Sequence, residues 1–352
     1  MWDDAKAAAL AGDEVALLVY RSNLLGADLR LTNYGGGNTS CKAMAKDPLT
    51  GNEVEVMWVK GSGGDLGTMK RNGLAALYVD RLRSLKNIYR GVEHEDEMVE
   101  LFNHCIYDLS SKAPSIDTPL HGFLPFAHID HLHPDAAIAI AAAKDGKKIT
   151  EELFGGTIGW VEWKKPGFEL GLSLKKCLDE NPGIRGIMLG SHGLFTWGDT
   201  SYDSYINTLE VIEMASEYLE ANYGDPSHGT KSPVFGGAKL ASKTAEERKL
   251  AAAEIMPILR GLASSYRLMV GHFTDDARVL EYVNSNDLER LAQKGTSCPD
   301  HFLRTKIRPM VLTGTTKESI EAQFEAYRAD YAAYYERCKH DNSPAIRDSN
   351  PV

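Results

Sequence analysis

The run Ala127-His128-Ile129-Asp130-His131-Leu132-His133-Pro134 concentrates ionisable side chains in a short stretch. Residues i and i+2 of a strand point to one face, so a strand here sets His131 and His133 side by side. Two such imidazoles can reach one metal ion at about 2.0–2.1 Å. His128 and Asp130 then alternate to the other face or lie further out. A lone His-x-His pair is equally compatible with ordinary polar surface, so a second element is needed. In Leu189-Gly190-Ser191-His192-Gly193 a histidine stands between an apolar strand and a glycine. Glycine at such a place lets a ligand or another backbone come close. Three imidazoles, His131, His133 and His192, leave one coordination position open, which is the catalytic rather than the structural pattern for zinc.

A carboxylate completes the set. Asp117 lies in Pro114-Ser115-Ile116-Asp117-Thr118-Pro119-Leu120-His121, between two prolines that stiffen the turn; it reads either as an acid–base group or as a turn or cap residue. Two glycine clusters, Gly35-Gly36-Gly37-Asn38-Thr39-Ser40 and Lys60-Gly61-Ser62-Gly63-Gly64, each follow a short predicted strand. Backbone N–H groups in such turns make anion nests, to which Asn38 and Ser62 add side-chain donors, although each is also compatible with a plain turn. Neither has the spacing of a dinucleotide fingerprint or a P-loop. Near the C-terminus, His301, Arg304 and Lys306 sit in a polar, basic loop. It reads either as a cover that meets an anionic substrate or as a packing and linker extension.

Several elements must position these groups. Apolar periodicity predicts a helix over 13–26. Short alternating runs predict strands at Leu29-Arg30-Leu31, Val54–Val59, Phe126–His133, Ile158–Trp163 and Gly186–Leu189. Lys46–Asn52, with Pro48 and Gly51, reads as a hairpin loop. An acidic start opens a helix over 93–108. Pro134 precedes a helix that stops at Asp145-Gly146, and Ser204–Tyr223 is a long helix. The glycine- and proline-bearing stretch 224–238 marks a boundary. Beyond it, helices are predicted over 242–268, 276–293 and 316–338, the first with an apolar stripe of Leu250, Ile255, Ile258, Leu259 and Leu262. The domain division is therefore 1–230, a helical extension 231–345, and a linker-like tail 346–352.

Bulk properties narrow the class. A chain of 352 residues with 43% hydrophobic and 25% charged residues buries a substantial core. A net charge of −10 weighs against a nucleic-acid partner. An acidic protein that handles an anionic metabolite needs a local positive device, such as a metal or an array of N–H donors. The N-terminus has no signal-peptide pattern, and the longest apolar stretch, Ala136–Ala143, is too short to span a bilayer. Five cysteines at scattered positions fit a reduced, cytoplasmic protein rather than a disulfide framework.

The order of the motifs carries a resemblance. Gly-Asn-Thr-Ser, Lys-Gly-Ser-Gly, Pro-Ser-Ile-Asp, His-Leu-His and Ser-His-Gly, in that order, resemble the class II aldolase/adducin family across residues 10–225. The His-Ile-Asp-His-Leu-His-Pro-Asp run and Thr296–Lys306 are similar to the aldolase half of bifunctional rhamnulose-phosphate aldolase/short-chain dehydrogenase proteins. The resemblance implies an α/β fold of three layers, with a central, mainly antiparallel sheet and a mostly helical C-terminal extension. It implies a homo-oligomer, a tetramer with sites between subunits. Zinc, or another divalent metal, would be held by His131, His133 and His192. Asn38, Ser62, Gly63 and Ser115 would bind the phosphate of a small sugar, and Asp117 would be the acid–base group. The implied reaction is cleavage of a ketose 1-phosphate, L-rhamnulose 1-phosphate foremost, to dihydroxyacetone phosphate and lactaldehyde. A sugar-phosphate 4-epimerase and a non-catalytic adducin-like interaction domain are the alternatives. Two departures stand out: aspartate replaces the aldolases' usual glutamate at 117, and the bifunctional relatives continue into a dehydrogenase domain.

Overall fold

The computed structural model describes residues 1–32, 36–223, 233–299, 305–341 and 343–351. Gly35, the boundary residues 224–232, His301 and Arg304 lie outside the described residues. The chain divides into two units, Met1–Asn222 with Ser297–Asp300, and Tyr223–Thr296 with His301–Val352.

The first unit runs α1 (Asp4–Ala9), α2 (Glu14–Gly26), β1 (Asn38–Lys46), β2 (Glu53–Lys60), β3 (Leu74–Tyr78), α3 (Val79–Ser84), α4 (Glu95–Leu101), α5 (Thr118–Phe123) and β4 (His128–Leu132). It continues through α6 (Asp135–Ala141), α7 (Gly146–Phe154), β5 (Ile158–Val161), α8 (Phe168–Glu180), β6 (Gly186–Leu189), β7 (Gly193–Gly198) and α9 (Ser201–Tyr223). The seven strands form one sheet in the order β3-β2-β1-β4-β7-β6-β5. Every neighbouring pair is antiparallel except β5 and β6.

Side chains alternate across this sheet and bury both faces. Leu132, Met188 and Leu194 join a cluster with Leu18 and Leu25 of α2, Ala137 and Ile140 of α6, and Val211 and Ile212 of α9. Ile129, Ile187, Leu189, Phe195 and Trp197 face the other way, onto Leu120 of α5 and Leu170, Leu174 and Leu178 of α8. Helix, sheet and helix layers result, as the resemblance implies.

Local chemistry explains where the elements start and stop. The Asp13 carboxylate accepts from the N–H groups of Val15 and Ala16 at 3.1 and 3.0 Å and so caps α2. The β1–β2 hairpin turns on Asp47, which accepts from the N–H groups of Leu49 and Thr50 and from the Tyr78 hydroxyl. Leu29-Arg30-Leu31 is a turn, not a strand. Asp28 accepts from the Arg30 N–H through its side chain and from the Leu31 N–H through its carbonyl, both at 3.0 Å, which overrides the weak alternation. Asn38-Thr39-Ser40, read above as the end of a turn, opens β1, the neighbour of the central strand β4. The helix expected over 93–108 is regular only in α4, because Ile106 leaves it to bridge Leu77.

The second unit contains α10 (Ala245–Ala263), α11 (Ala277–Val283), α12 (Leu288–Ala292) and α13 (Lys317–Cys338). A Thr244–Glu247 capping box starts α10. Ile255, Ile258, Leu259 and Leu262 pack with Ile320 and Phe324, whereas Leu250, placed on the same stripe above, is exposed. The helix expected over 276–293 is interrupted between α11 and α12, where the chain pairs Ser285 with Ala238. Within this unit, Asn350 is buried and accepts from Arg328 Nε at 2.8 Å. Among the described residues no helix is long and apolar enough to cross a membrane.

Candidate metal centre

β4 lies at the middle of the sheet, and its alternation separates two chemistries. Asp130 and His128 point towards α2 and α9. There Arg21, fully buried, donates from Nε to Asp130 at 2.9 Å, while Ser204 Oγ donates to the second carboxylate oxygen at 2.7 Å. Arg21 also reaches His128 Nδ1 at 3.1 Å, the Ser201 hydroxyl and the Ser40 carbonyl at 2.9 Å each. Burial and this guanidinium push His128 down to about 3.

His131 and His133 face the opposite way. His131 is opposite Asn38 on β1 and Phe195 on β7, and its ring stacks on Phe195 at 4.2 Å between centroids. His192 comes from the tight turn between β6 and β7. Its backbone N–H donates to the Leu189 carbonyl at 3.1 Å, and Ser191 before it takes a positive φ of 53°. One ring nitrogen from each of His131, His133 and His192 lies within 4.8 Å of the others, and all three residues are buried. Two glycines let the backbones close in. A Cβ on Gly193 would lie 2.6 Å from the Leu132 carbonyl oxygen and 2.6 Å from His133 Cδ2. A Cβ on Gly37 would lie 2.6 Å from the His131 carbonyl oxygen. The expectation that the glycine after His192 permits close approach is met by the His133 imidazole itself.

The donor set fits a divalent cation of the zinc type. His131 Nδ1 lies 3.1 Å from the Leu194 carbonyl, which can only accept, so that nitrogen carries the hydrogen and Nε2 carries the lone pair. His133 Nε2 lies 3.0 Å from this Nε2. Burial first, then the two neighbouring histidines, hold His131 well below the usual imidazole range, which keeps it in the neutral, ligating form. The Leu194 carbonyl also fixes the ring, as outer hydrogen bonds to metal-bound imidazoles do.

Asp117 sits at the N-cap position of α5. Its Oδ2 accepts from Asn38 Nδ2 at 2.9 Å, and its backbone N–H donates to Ser115 Oγ at 3.2 Å. Of the proposed phosphate residues, Asn38 and Ser115 therefore gather at Asp117. Ser62 and Gly63 lie on the exposed turn after β2, where the Ser62 N–H donates to the Ala113 carbonyl at 3.0 Å. That contact brings the turn against the segment leading to Ser115. Gly63 and Gly64 both have positive φ, 70° and 83°. They line a cavity of about 320 Å³ with Lys60, Lys70, Lys112 and the carboxylate of Asp65, a setting with more positive than negative charge. None of the three histidines lines that cavity. Lys306 is engaged within the second unit, where its ammonium donates to the Asp348 carbonyl and lies 4.2 Å from the Tyr331 ring centroid. His121 was given no role from the sequence. It is fully buried on α5, between Ser40 and Asn38. Its signal was the i, i+4 spacing from Asp117, which is one helical turn.

Fold and site together define a class: a layered α/β protein with three converging, buried histidines beside its central strand. The profile of the "Class II Aldolase and Adducin N-terminal domain" matches residues 17–219, and that of "Aldolase class II, second domain" matches 250–352. The chain belongs to the class II aldolase and adducin family. It is 39% identical over 360 residues to the uncharacterized oxidoreductase YuxG of Bacillus subtilis (strain 168), covering 100% of this chain and 51% of that protein. It thus spans about half the length of that curated relative. The N-terminal class II aldolase domain of a conserved protein from Thermoplasma acidophilum superposes with a TM-score of 0.54 at 30% identity, over 59% of this chain and 94% of that one. A sugar-phosphate aldolase from Thermotoga maritima gives a TM-score of 0.44 at 15% identity, over 63% and 97%.

Proposed function

We propose that the chain is a divalent-metal-dependent aldolase that cleaves a small ketose 1-phosphate, with L-rhamnulose 1-phosphate the first candidate. The products would be dihydroxyacetone phosphate and lactaldehyde. The observation that carries this reading is the convergence of three buried imidazoles, with a carboxylate held by the residue opposite His131. Zinc, or another divalent ion, held by His131, His133 and His192 supplies a Lewis acid for the substrate oxygens. The protein's own side chains do the rest. Breaking the C3–C4 bond needs a base at the C4 hydroxyl and a proton at C3. Asp117 takes the first proton and returns it to C3, so none is consumed. Asn38, Ser62, Gly63 and Ser115 hold the phosphate through N–H and hydroxyl donors, and Lys60 lends positive charge beside them. Fixed donors of this kind turn binding energy into orientation.

Catalysis is assigned to residues 1–230 and a supporting role to 231–345, in a cytoplasmic homo-oligomer, a tetramer by family resemblance. Because the chain spans about half of its curated relative, a longer natural protein with a short-chain dehydrogenase domain belongs to the same proposal. Aspartate rather than glutamate at 117 favours a second reading, a sugar-phosphate 4-epimerase, in which the cleaved aldehyde rotates and re-adds.

The test is a coupled assay for dihydroxyacetone phosphate released from L-rhamnulose 1-phosphate, with and without chelator, and on His133→Ala. Release that is abolished by both is the expected result. No release from protein with stoichiometric zinc overturns the rhamnulose assignment. Formation of a C4 epimer without release establishes the second reading.

A further inference from the structure

Four side chains of the first unit form a continuous line that runs from the core out to a half-buried carboxylate: Ser40, His121, Asn38 and Asp117. Ser40 and His121 are fully buried and Asn38 is nearly so. Ser40 Oγ lies 2.8 Å from His121 Nδ1, His121 Nε2 is hydrogen-bonded to Asn38 Oδ1, and Asn38 Nδ2 lies 2.9 Å from Asp117 Oδ2. The chemistry of the groups fixes the direction of every bond. The amide oxygen of Asn38 can only accept, so His121 Nε2 carries a hydrogen and donates it. Burial holds His121 neutral, so its Nδ1 is the acceptor and the Ser40 hydroxyl donates to it. With its oxygen turned to His121, Asn38 must present its NH₂ to Asp117. The reverse orientation would set the amide oxygen against the carboxylate, two acceptors with no hydrogen between them.

We infer that His121 is a positioning residue for the reaction. It locks the Asn38 amide so that a fixed N–H donor holds Oδ2 of Asp117. This inference rests on the proton-transfer role proposed for Asp117. The backbone supports the same arrangement. Asp117 and His121 are one turn apart on α5, Asn38 and Ser40 are two apart on β1, and both pairs therefore face each other across the same layer. His121 packs 5.4 Å from Phe195, the residue on which His131 stacks, so one aromatic side chain supports both the relay and the triad. His121 itself stands behind Asn38 and acts only through it. The inference also separates two roles for Asn38: one amide hydrogen is committed to Asp117, and the second is left to donate to the substrate phosphate.

The test compares His121→Leu, which removes the donor, with His121→Gln, whose side-chain NH₂ replaces the Nε2–H. Steady-state kinetics with the cleaved ketose phosphate, bound-zinc measurement and a crystal structure of each variant are the readouts. His121→Leu is expected to lower kcat by roughly 10- to 100-fold, the scale of a misplacement of about 1 Å, with KM and bound zinc unchanged. His121→Gln is expected to recover most of that loss. The crystal structure of His121→Leu is expected to show the Asn38 amide rotated away from Asp117. An unchanged kcat in His121→Leu overturns the inference, and so does an Asn38–Asp117 contact that persists without His121. If the wild-type protein cleaves no ketose phosphate, the proposed reaction fails, and the crystal structure alone still decides the locking of Asn38. Should His121→Leu not fold, Asn38→Ala serves: a fall in kcat supports the relay, and a rise in KM alone assigns Asn38 to the phosphate and overturns it.

Discussion

Gly193→Ala probes the triad without replacing one of the three proposed metal ligands. The added Cβ would stand 2.6 Å from both the Leu132 carbonyl oxygen and His133 Cδ2. Carbon atoms make their best contacts at about 3.5–4.0 Å, so roughly 1 Å of separation must be found. The carbonyl belongs to the last residue of β4, which pairs with β7 across Leu132 and Leu194, so it yields little. The His133 ring, or the turn carrying His192, must move instead. Overpacking of this kind costs about 1–3 kcal/mol of stability. A metal constellation tolerates only about 0.5 Å of displacement, so zinc affinity should fall at least as far as when an outer hydrogen bond is removed, about 10- to 100-fold. Competition with a chromophoric chelator measures this, with circular dichroism to verify that the fold is kept. Gly183→Ala is the control, because nothing lies within 4 Å of its added Cβ. A folded Gly193→Ala protein that binds zinc as tightly as the wild type would show that the three histidines do not form the metal site.

Asp117→Asn keeps the shape of the N-cap and removes the proposed base. Cleavage is expected to fall by about 10²–10⁴-fold, the usual contribution of general acid–base catalysis, with zinc still bound; near-normal turnover would remove Asp117 from the mechanism. Acid should destabilise the metal-free protein. Burial holds His121, His128 and His131 neutral in the fold, whereas the unfolded chain protonates each below about pH 6.5. The unfolded state then binds more protons, so the stability these residues contribute is complete above that pH and declines as pH falls. Each contributes a slope of about 1.4 kcal/mol per pH unit, and for His128 the decline continues to about 3. Urea midpoints measured in chelator between about pH 7 and pH 5 should fall steeply, and a flat profile would contradict the burial of these imidazoles.

The helices with clear apolar stripes were legible in the sequence: α2, α9 and α13 agree with their predicted spans to within a few residues. The hairpin at 46–52 was legible because its turn residues are specific. β1 was not, since Asn38-Thr39-Ser40 carries no apolar alternation and its place between β2 and β4 is a long-range fact. β7 was missed because its first residue, Gly193, reads as a break. The triad was legible because His133 stands two residues from His131, just past the end of β4, and His192 has a glycine beside it. His121 was not, because its role depends on a strand some eighty residues away in sequence, at Ser40 and Asn38.

The cost of β4 argues for its role. The central strand of a sheet covered on both faces ordinarily reads as a near-continuous apolar run. β4 instead carries His128, Asp130 and His131, all buried. On the α2 side, Asp130 is held by Arg21, Ser204 and Thr208. Breaking a buried ion pair by removing one partner costs about 3–5 kcal/mol, yet replacing the whole pair with apolar residues is often neutral or stabilising. Stability alone therefore gives no reason to keep that network. Its effect on the strand does: Arg21 also binds the Ser40 carbonyl on β1, tying β1 to β4 directly behind the Asn38–His131 pair. The polar face ties together the two strands whose other face carries Asn38, Ser40 and His131, the place where the proposed chemistry needs fixed positions.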